Sequence, residues 1–191
     1  MRFIYSLSLV SLLLFFGCDQ GSDILSIESD SPASTVNLIS IPTPSGGLSI
    51  EADLTKYKEI DGEDGGSFTA YFNYEGGPFG EVTVVSRLYF YEDAFNGDKV
   101  ISQTLDTDYA AMSFGPSMQF EARVKLDFII TGLDLTGVDP DDLDFVYVND
   151  DGSTEQLAYD YIYMNASIGK LAIDDAELTH FSRYGFVNKE F

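Results

Sequence analysis

The sequence predicts an all-β protein, built as an antiparallel sandwich or barrel. One observation is the alternation between Phe120 and Phe128, where every second residue is apolar and the residues between them are charged. Because successive side chains of a strand point to opposite faces, this pattern is typical of a half-buried strand. The other two observations are closely spaced turn signals and the lack of any long helical pattern after Leu48.

Eight segments after Leu48 have strand character. In chain order they are residues 67–74, 81–91, 99–105, 120–130, 143–148, 156–164, 170–174 and 181–187. Glycine, proline, asparagine and aspartate separate most of them, at residues 76–78, 96–98, 115–116, 150–152 and 167–169. A short helical turn is expected only at residues 106–112 and 139–143.

The N-terminal segment has the pattern of an export signal. Met1 and Arg2 are followed by an apolar stretch that ends at Phe16, too short to span a bilayer, so residues 1–17 are expected to be a signal peptide. The junction Gly17-Cys18 resembles the bacterial lipobox, which implies that Cys18 is lipidated and becomes the new N-terminus. The alternative is an ordinary cleaved signal with an incidental cysteine, although a lone thiol is unusual in an exported protein.

Residues 18–47 are expected to hold the lipidated cysteine and an acidic tether, and residues 48–191 the β-sandwich domain. From Asp19 to Ala33 the chain is rich in serine and acidic residues and has few large apolar ones, which favours a flexible segment. Residues 36–41 are apolar and could add an edge strand to the domain.

Composition excludes several classes of function. The chain has 191 residues, a net charge of −22, one cysteine, one histidine and no tryptophan. One cysteine and one histidine cannot build a zinc site, and the negative charge repels nucleic acid, so neither a metal cofactor nor a nucleic-acid partner is expected.

An ordered set of short motifs resembles the ZU-five domain, which is known from ankyrins, netrin receptors, zonula-occludens scaffolds and bacterial lipoproteins. The resemblance covers about residues 65–186 and rests on Ala94-Phe95-Asn96-Gly97-Asp98, Phe114-Gly115-Pro116-Ser117, Asp150-Asp151-Gly152 and His180-Phe181-Ser182-Arg183-Tyr184. It implies a Greek-key β-sandwich without a cofactor, used mainly for protein interaction.

The same resemblance raises self-cleavage as an alternative function. In some animal relatives a matching His-Phe-Ser cleaves itself, which would make Ser182 the nucleophile, His180 the base and the Phe181–Ser182 bond the one broken. His180 and Ser182 would share one face of a closing strand. The simpler interpretation, which we favour, is that Phe181 packs in the core while His180 and Ser182 bind each other or the backbone.

A calcium- or glycan-dependent adhesin is a further alternative. Three acidic clusters could supply oxygen ligands for calcium, but none has EF-hand spacing, and solvated turns are the simpler interpretation: residues 61–64, 139–144 and 149–151. The alternating tyrosines Tyr159, Tyr161 and Tyr163 are expected to share one face, which could bind a sugar or a protein, or belong to the core. The main expectation is a lipid-anchored protein of the bacterial cell envelope, on the periplasmic side of the outer membrane or at the cell surface. Its non-catalytic sandwich is expected to serve envelope structure or to bind an unknown envelope or surface protein.

The intact mass of the native protein tests these expectations together. We expect an acylated chain that begins at Cys18 and ends at Phe191, as measured by mass spectrometry after detergent extraction. Self-cleavage would instead release the ten-residue piece from Ser182 to Phe191, and an unmodified Cys18 would contradict the lipid anchor.

Overall fold

The computed structural model describes residues 37–45 and 54–189, and over these residues the protein is a β-sandwich of two antiparallel sheets. The all-β prediction is therefore confirmed, while the Greek-key connectivity stays a prediction. The signal peptide, Cys18 and the tether from Asp19 to Ala33 lie outside the described residues. Within those residues there is no helix long and apolar enough to cross a membrane.

Eleven strands in the described part of the chain form the two sheets. They are β1 (Thr55–Asp61), β2 (Gly66–Glu75), β3 (Glu81–Phe90), β4 (Asp98–Leu105), β5 (Ala111–Gly115), β6 (Gln119–Thr131), β7 (Leu143–Val148), β8 (Thr154–Gln156), β9 (Tyr161–Asn165), β10 (Lys170–His180) and β11 (Arg183–Asn188). The six-stranded sheet has the order β1-β4-β5-β11-β7-β8, and the five-stranded sheet has the order β2-β3-β6-β10-β9.

The hydrophobic core lies between the sheets. In β6 the residues Val124, Leu126, Phe128 and Ile130 are fully buried, while the residues between them face outward, as the alternation predicts. Phe128 stacks on Phe186 of β11 with ring centroids 5.6 Å apart, so the two sheets contact each other through aromatic rings.

Two strands are absent from the sequence prediction, and both have a weak local pattern. β1 buries only Ile60, because it is the edge strand of its sheet and exposes most of its side chains. β5 begins inside residues 106–112, where a helical turn was expected; that expectation is wrong. The Ala-Ala-Met run favours a helix locally, but pairing with β4 and β11 on either side imposes a strand.

The predicted strand 156–164 is wrong, because it is two strands in different sheets. β8 pairs with β7 in the six-stranded sheet, whereas β9 pairs with β10 in the five-stranded sheet. Residues 157–160 cross between them, and the amide of Asp160 donates to the carbonyl of Asp174 at 3.1 Å. Tyr159 consequently does not share the outward face of Tyr161 and Tyr163, since it packs on the core and donates to Asp144 at 2.8 Å.

Residues 37–45 form a strap across one end of the sandwich rather than the expected edge strand. Leu38 and Ser40 make only isolated bridges, to Val187 and Tyr109. Ile39 and Ile41 are buried in the core, although both lie before residue 48, where the domain was expected to begin. Ile39 donates its amide to Phe186 and Ser45 to Glu75, so the strap is bonded to both sheets.

Asp144 is a buried carboxylate with three partners. It accepts hydrogen bonds from the Phe145 amide at 2.8 Å and from the Tyr159 hydroxyl at 2.8 Å, and Lys189 Nζ lies 2.5 Å from it. Burial, helped by this carboxylate, raises the pKa of Tyr159 to about 12. A buried carboxylate costs free energy unless it is paired, so Lys189 is expected to stabilise the fold.

Replacing Lys189 with methionine tests this pairing. We expect Lys189→Met to lower the free energy of unfolding by about 1–3 kcal/mol, because a buried charge loses its counter-ion. Urea denaturation measures the change, with Lys99→Met as the matched control because Lys99 forms no ion pair with a described residue. Equal losses in the two variants would contradict the assignment.

Candidate functional site

The outer face of the five-stranded sheet carries a groove of about 460 Å³, within the size range of small-ligand sites. Its floor is made of the short apolar side chains of Val85 in β3, Ile129 in β6 and Ala172 in β10. Its wall is made of the two outward-facing tyrosines of β9, Tyr161 and Tyr163. We call this surface the outer groove.

Strand register explains why these residues meet. Ala172 pairs with Ile129 on one side and with Tyr163 on the other, and Val85 pairs with Ile129 and with Tyr71 of β2. One row of side chains therefore crosses the sheet, with a tyrosine at each end and small apolar residues between. At about 4.8 Å per strand, the two tyrosine positions are about 19 Å apart.

A second row of side chains supplies charge. Arg87 and Asp127 pair across β3 and β6, with Arg87 Nη1 4.0 Å from Asp127 Oδ2. Arg87 also donates to the Tyr89 hydroxyl at 2.8 Å and to Thr69 Oγ1 at 3.3 Å. These bonds fix the guanidinium group beside the groove, and they raise the pKa of Arg87, chiefly through the Tyr89 hydrogen bond.

A bulge in β10 places Asp174 and Asp175 next to this row. The ladder between β10 and β6 is irregular between Ile173 and Ala176, and Asp175 has a φ of 54°. The Asp175 amide donates to Asp127 Oδ1 at 3.1 Å, and its carboxylate accepts from Lys125 Nζ at 2.7 Å. The extra residue is therefore held by two contacts to β6.

Asp174 lines the groove, and its side-chain carboxylate accepts no hydrogen bond from the described part of the chain. Desolvation raises the pKa of its carboxyl, and the negative charges of Asp127, Asp175 and Asp160 raise it further, while Lys125 opposes them. Asp174 is thus an acceptor in the groove that a bound ligand could satisfy.

The hairpin from β9 to β10 orients the tyrosine wall. Lys170 Nζ lies 5.5 Å from the centre of the Tyr163 ring, a cation–π contact. The expected turn at residues 167–169 is confirmed as a 3₁₀ turn, Ala166–Ile168, which Asn165 caps by accepting from the Ser167 amide at 3.0 Å. Gly169, with a φ of 59°, ends it where a Cβ would lie 2.1 Å from the carbonyl oxygen of Leu133.

His180, Phe181 and Ser182 lie at a corner rather than on one strand, so the prediction that His180 and Ser182 share a strand face is wrong. β10 ends at His180 and β11 begins at Arg183, because the chain passes here from the five-stranded to the six-stranded sheet. Phe181 is buried, and its ring lies 4.8 Å from Phe120 and 5.7 Å from Phe114, centroid to centroid. Phe181 and Ser182 therefore belong to neither strand.

The corner residues have their own partners. His180 Nδ1 is 3.0 Å from Thr179 Oγ1, and the His180 ring makes an edge contact with Tyr147 at 4.6 Å. The Ser182 carbonyl accepts from the Phe114 amide at 2.9 Å, while among the described residues no group forms a hydrogen bond with the Ser182 hydroxyl. Tyr184 donates to the His180 carbonyl at 2.6 Å, and burial raises the pKa of Tyr184.

The acidic clusters build turns. Asp61 Oδ1 accepts from the amides of Glu63 and Asp64, Asp139 Oδ1 accepts from Asp141, and Asp151 Oδ1 accepts from Ser153. Within residues 37–45 and 54–189, no group of three or more His, Cys, Asp or Glu side chains could hold a metal ion.

Sequence reasoning found the tyrosines of the outer groove and missed its charged residues. Arg87, Asp127, Lys170 and Asp174 are distant in sequence, and each resembles an ordinary exposed strand residue. The signal that could have found them is the alternation itself, which puts all four on outward positions of predicted strands. Which strands are neighbours is decided only by the sheet order.

Comparison with known proteins identifies no relative of this chain. No protein-family model matches this chain, and no curated protein or solved structure is significantly similar to it.

Replacing Asp174 with asparagine tests the electrostatics of the groove. Because its pKa is raised, the charged carboxylate destabilises the fold above its folded pKa, and this cost disappears as the pH falls towards the unfolded value, 3.8. We expect Asp174→Asn to raise the melting temperature at pH 7 by about 1–3 °C, and the gain to vanish near pH 4.

Asp134→Asn is a control variant for which we expect the opposite change in melting temperature. Hydrogen bonds from Thr136 lower the pKa of Asp134, so its charged form stabilises the fold at pH 7 and this contribution is lost as the pH falls through the folded pKa. Asp134→Asn should therefore lower the melting temperature at pH 7. A shift of the same sign in both variants would contradict this account.

Proposed function

We propose that this protein is an exported bacterial lipoprotein, anchored through Cys18, whose β-sandwich is a non-catalytic binding module of the cell envelope. The observation that carries the proposal is the outer groove, in which two exposed tyrosines face an apolar floor bordered by charged residues. Aromatic side chains with one apolar and one polar end are typical of binding surfaces.

The chemistry of the groove supports binding over catalysis. Among the described residues that line it there is no serine, cysteine or histidine, the side chains that most often act as a nucleophile or its base. Two of its charged groups lie on paired strands and are bonded to neighbours: Arg87 to the Tyr89 hydroxyl and Asp127 to the Asp175 amide. Such groups hold a fixed shape for a ligand.

The rest of the chain supports the envelope location. The expected tether leads from Cys18 to the strap, which is bonded to both sheets through Ile39 and Ser45. A net charge of −22 opposes binding to nucleic acid and to anionic lipid headgroups, which agrees with a module that is held at a membrane by its anchor rather than by its surface.

Self-cleavage at Phe181–Ser182 is the less supported alternative. The His180 ring nitrogen next to Thr179 is engaged, and in the described chain no base is bonded to the Ser182 hydroxyl. An activated nucleophile needs its base within hydrogen-bond reach.

Site-specific photo-cross-linking on intact cells tests the proposal. A photoreactive amino acid is placed at Tyr163 in the groove, or at Tyr57, which is highly exposed but lies in β1 of the other sheet. We expect an envelope component to be captured at position 163 and not at position 57, because only the first lies in the binding surface.

Two results would overturn the proposal. Equal capture at positions 163 and 57, or capture at neither, would argue against the outer groove as the binding surface. Protein that remains in the soluble fraction after cell lysis would argue against the anchor at Cys18.

A further inference from the structure

We infer that the outer groove binds a neutral oligosaccharide, with Tyr161 and Tyr163 stacking on sugar rings while Arg87 and Asp174 bond to hydroxyl groups. This inference rests on the proposed function and names the ligand class of its site. Three observations support it: the exposed tyrosines along the groove, the equal numbers of cationic and anionic side chains that line it, and the pairing of its backbone groups within the sheet.

The aromatic wall provides the stacking surface. Tyr161 is 56% exposed and Tyr163 is 44% exposed, and both point outward from one short edge strand. Residues two apart on a strand are separated by about 6.6 Å, so the rings are neighbours along the wall. A planar ring suits the apolar C–H face of a sugar, and the contact of Tyr163 with Lys170 fixes its orientation.

The charges around the groove favour a neutral ligand. The lining holds two cationic residues, Arg87 and Lys170, and two anionic ones, Asp127 and Asp174. A polyanion would meet both aspartates and a chain of net charge −22, whereas a polycation would meet Arg87 and Lys170. A sugar hydroxyl both donates and accepts hydrogen bonds, so it can bond to the cationic side chains as an acceptor and to the aspartates as a donor.

The Asp174 carboxylate favours a ligand that carries hydrogen-bond donors. Its carboxylate accepts no hydrogen bond from the described residues, and its pKa is raised by desolvation and by neighbouring aspartates. Hydroxyl groups from a bound sugar would supply the missing hydrogen bonds and stabilise the charged form. Arg87 lines the same groove, and its guanidinium group, which already donates one hydrogen bond to Tyr89, has further N–H groups that can donate to a ligand.

The backbone argues against an extended peptide in this groove. The floor residues belong to β3, β6 and β10, whose backbone groups are paired with strands on both sides. A peptide that adds to a sheet gains affinity from free main-chain groups, and these occur at sheet edges. A ligand on the outer groove meets side chains only, which suits a polyhydroxylated ligand.

Binding of purified full-length protein in detergent to immobilised neutral oligosaccharides tests the inference. The probes are gluco-, manno-, galacto- and xylo-oligosaccharides, with oligogalacturonate and heparin fragments as anionic probes. The tightest neutral ligand is then titrated calorimetrically. We expect Tyr163→Ala to weaken its binding about tenfold or more, because the stacking ring is lost.

Matched variants separate the groove from the rest of the surface. Tyr57→Ala removes an even more exposed tyrosine, 69% against 44% for Tyr163, from the other sheet and should leave the affinity unchanged. Tyr163→Phe keeps the ring and should retain most of the affinity, whereas Asp174→Asn should weaken binding. Melting curves of each variant verify that the fold is intact.

Three outcomes would overturn the inference: no neutral oligosaccharide binds, anionic probes bind better, or Tyr163→Ala binds as tightly as the native protein. Cross-linking at Tyr163 distinguishes this failure from failure of the proposed function. An envelope protein captured at Tyr163, together with no oligosaccharide binding, leaves the binding module in place and removes the sugar as its ligand.

Discussion

The fold depends on the buried side chain of Phe181, at the point where the chain leaves β10 and enters β11. Its ring contacts Phe90 and Phe120 of the five-stranded sheet and Phe114 of the six-stranded sheet. Both β10 and β11 are interior strands of their sheets, and this one aromatic side chain contacts interior strands of both layers. Aromatic packing of this kind is directional, because rings prefer edge-on or offset contacts.

The outer groove results from the position of β10 within the five-stranded sheet. β10 packs its inward side chains on the core and leaves Ala172 and Asp174 outward, between β6 and the edge strand β9. The bulge at Asp175 shifts the ladder, and the ion pair between Asp175 and Lys125 holds it in place. The position of the tyrosine wall therefore depends on residues of β6 and β10 that a ligand need not touch.

The outer groove differs in charge from the chain as a whole. The chain as a whole has a net charge of −22, whereas the groove has equal numbers of cationic and anionic side chains. The acidic surface as a whole repels polyanions. The groove instead offers local hydrogen-bonding groups, whose effect is short-ranged because salt screens distant charges.

The sequence by itself determined the fold class and most strands. Where an alternating pattern is long and one-sided, as from Phe120 to Phe128, the strand is confirmed, because only period two buries one face of a sheet. The pattern was insufficient at β1, where edge exposure leaves only Ile60 buried, and at β5, where tertiary pairing overrides local preference.

Tertiary structure alone decided which strands are neighbours and where the chain changes sheets. The tyrosines at 159, 161 and 163 are evenly spaced, but the crossing at residues 157–160 turns Tyr159 inward and leaves the other two exposed.

The corner at Phe181 and the order of the strands are also decided by tertiary structure. The corner places His180 and Ser182 on different elements rather than on one strand face. Arg87, Asp127 and Asp174 meet only because β3, β6 and β10 are adjacent. Periodicity specifies which face of a strand is buried, whereas pairing between distant segments is set by the packing of the whole core, which no local pattern records.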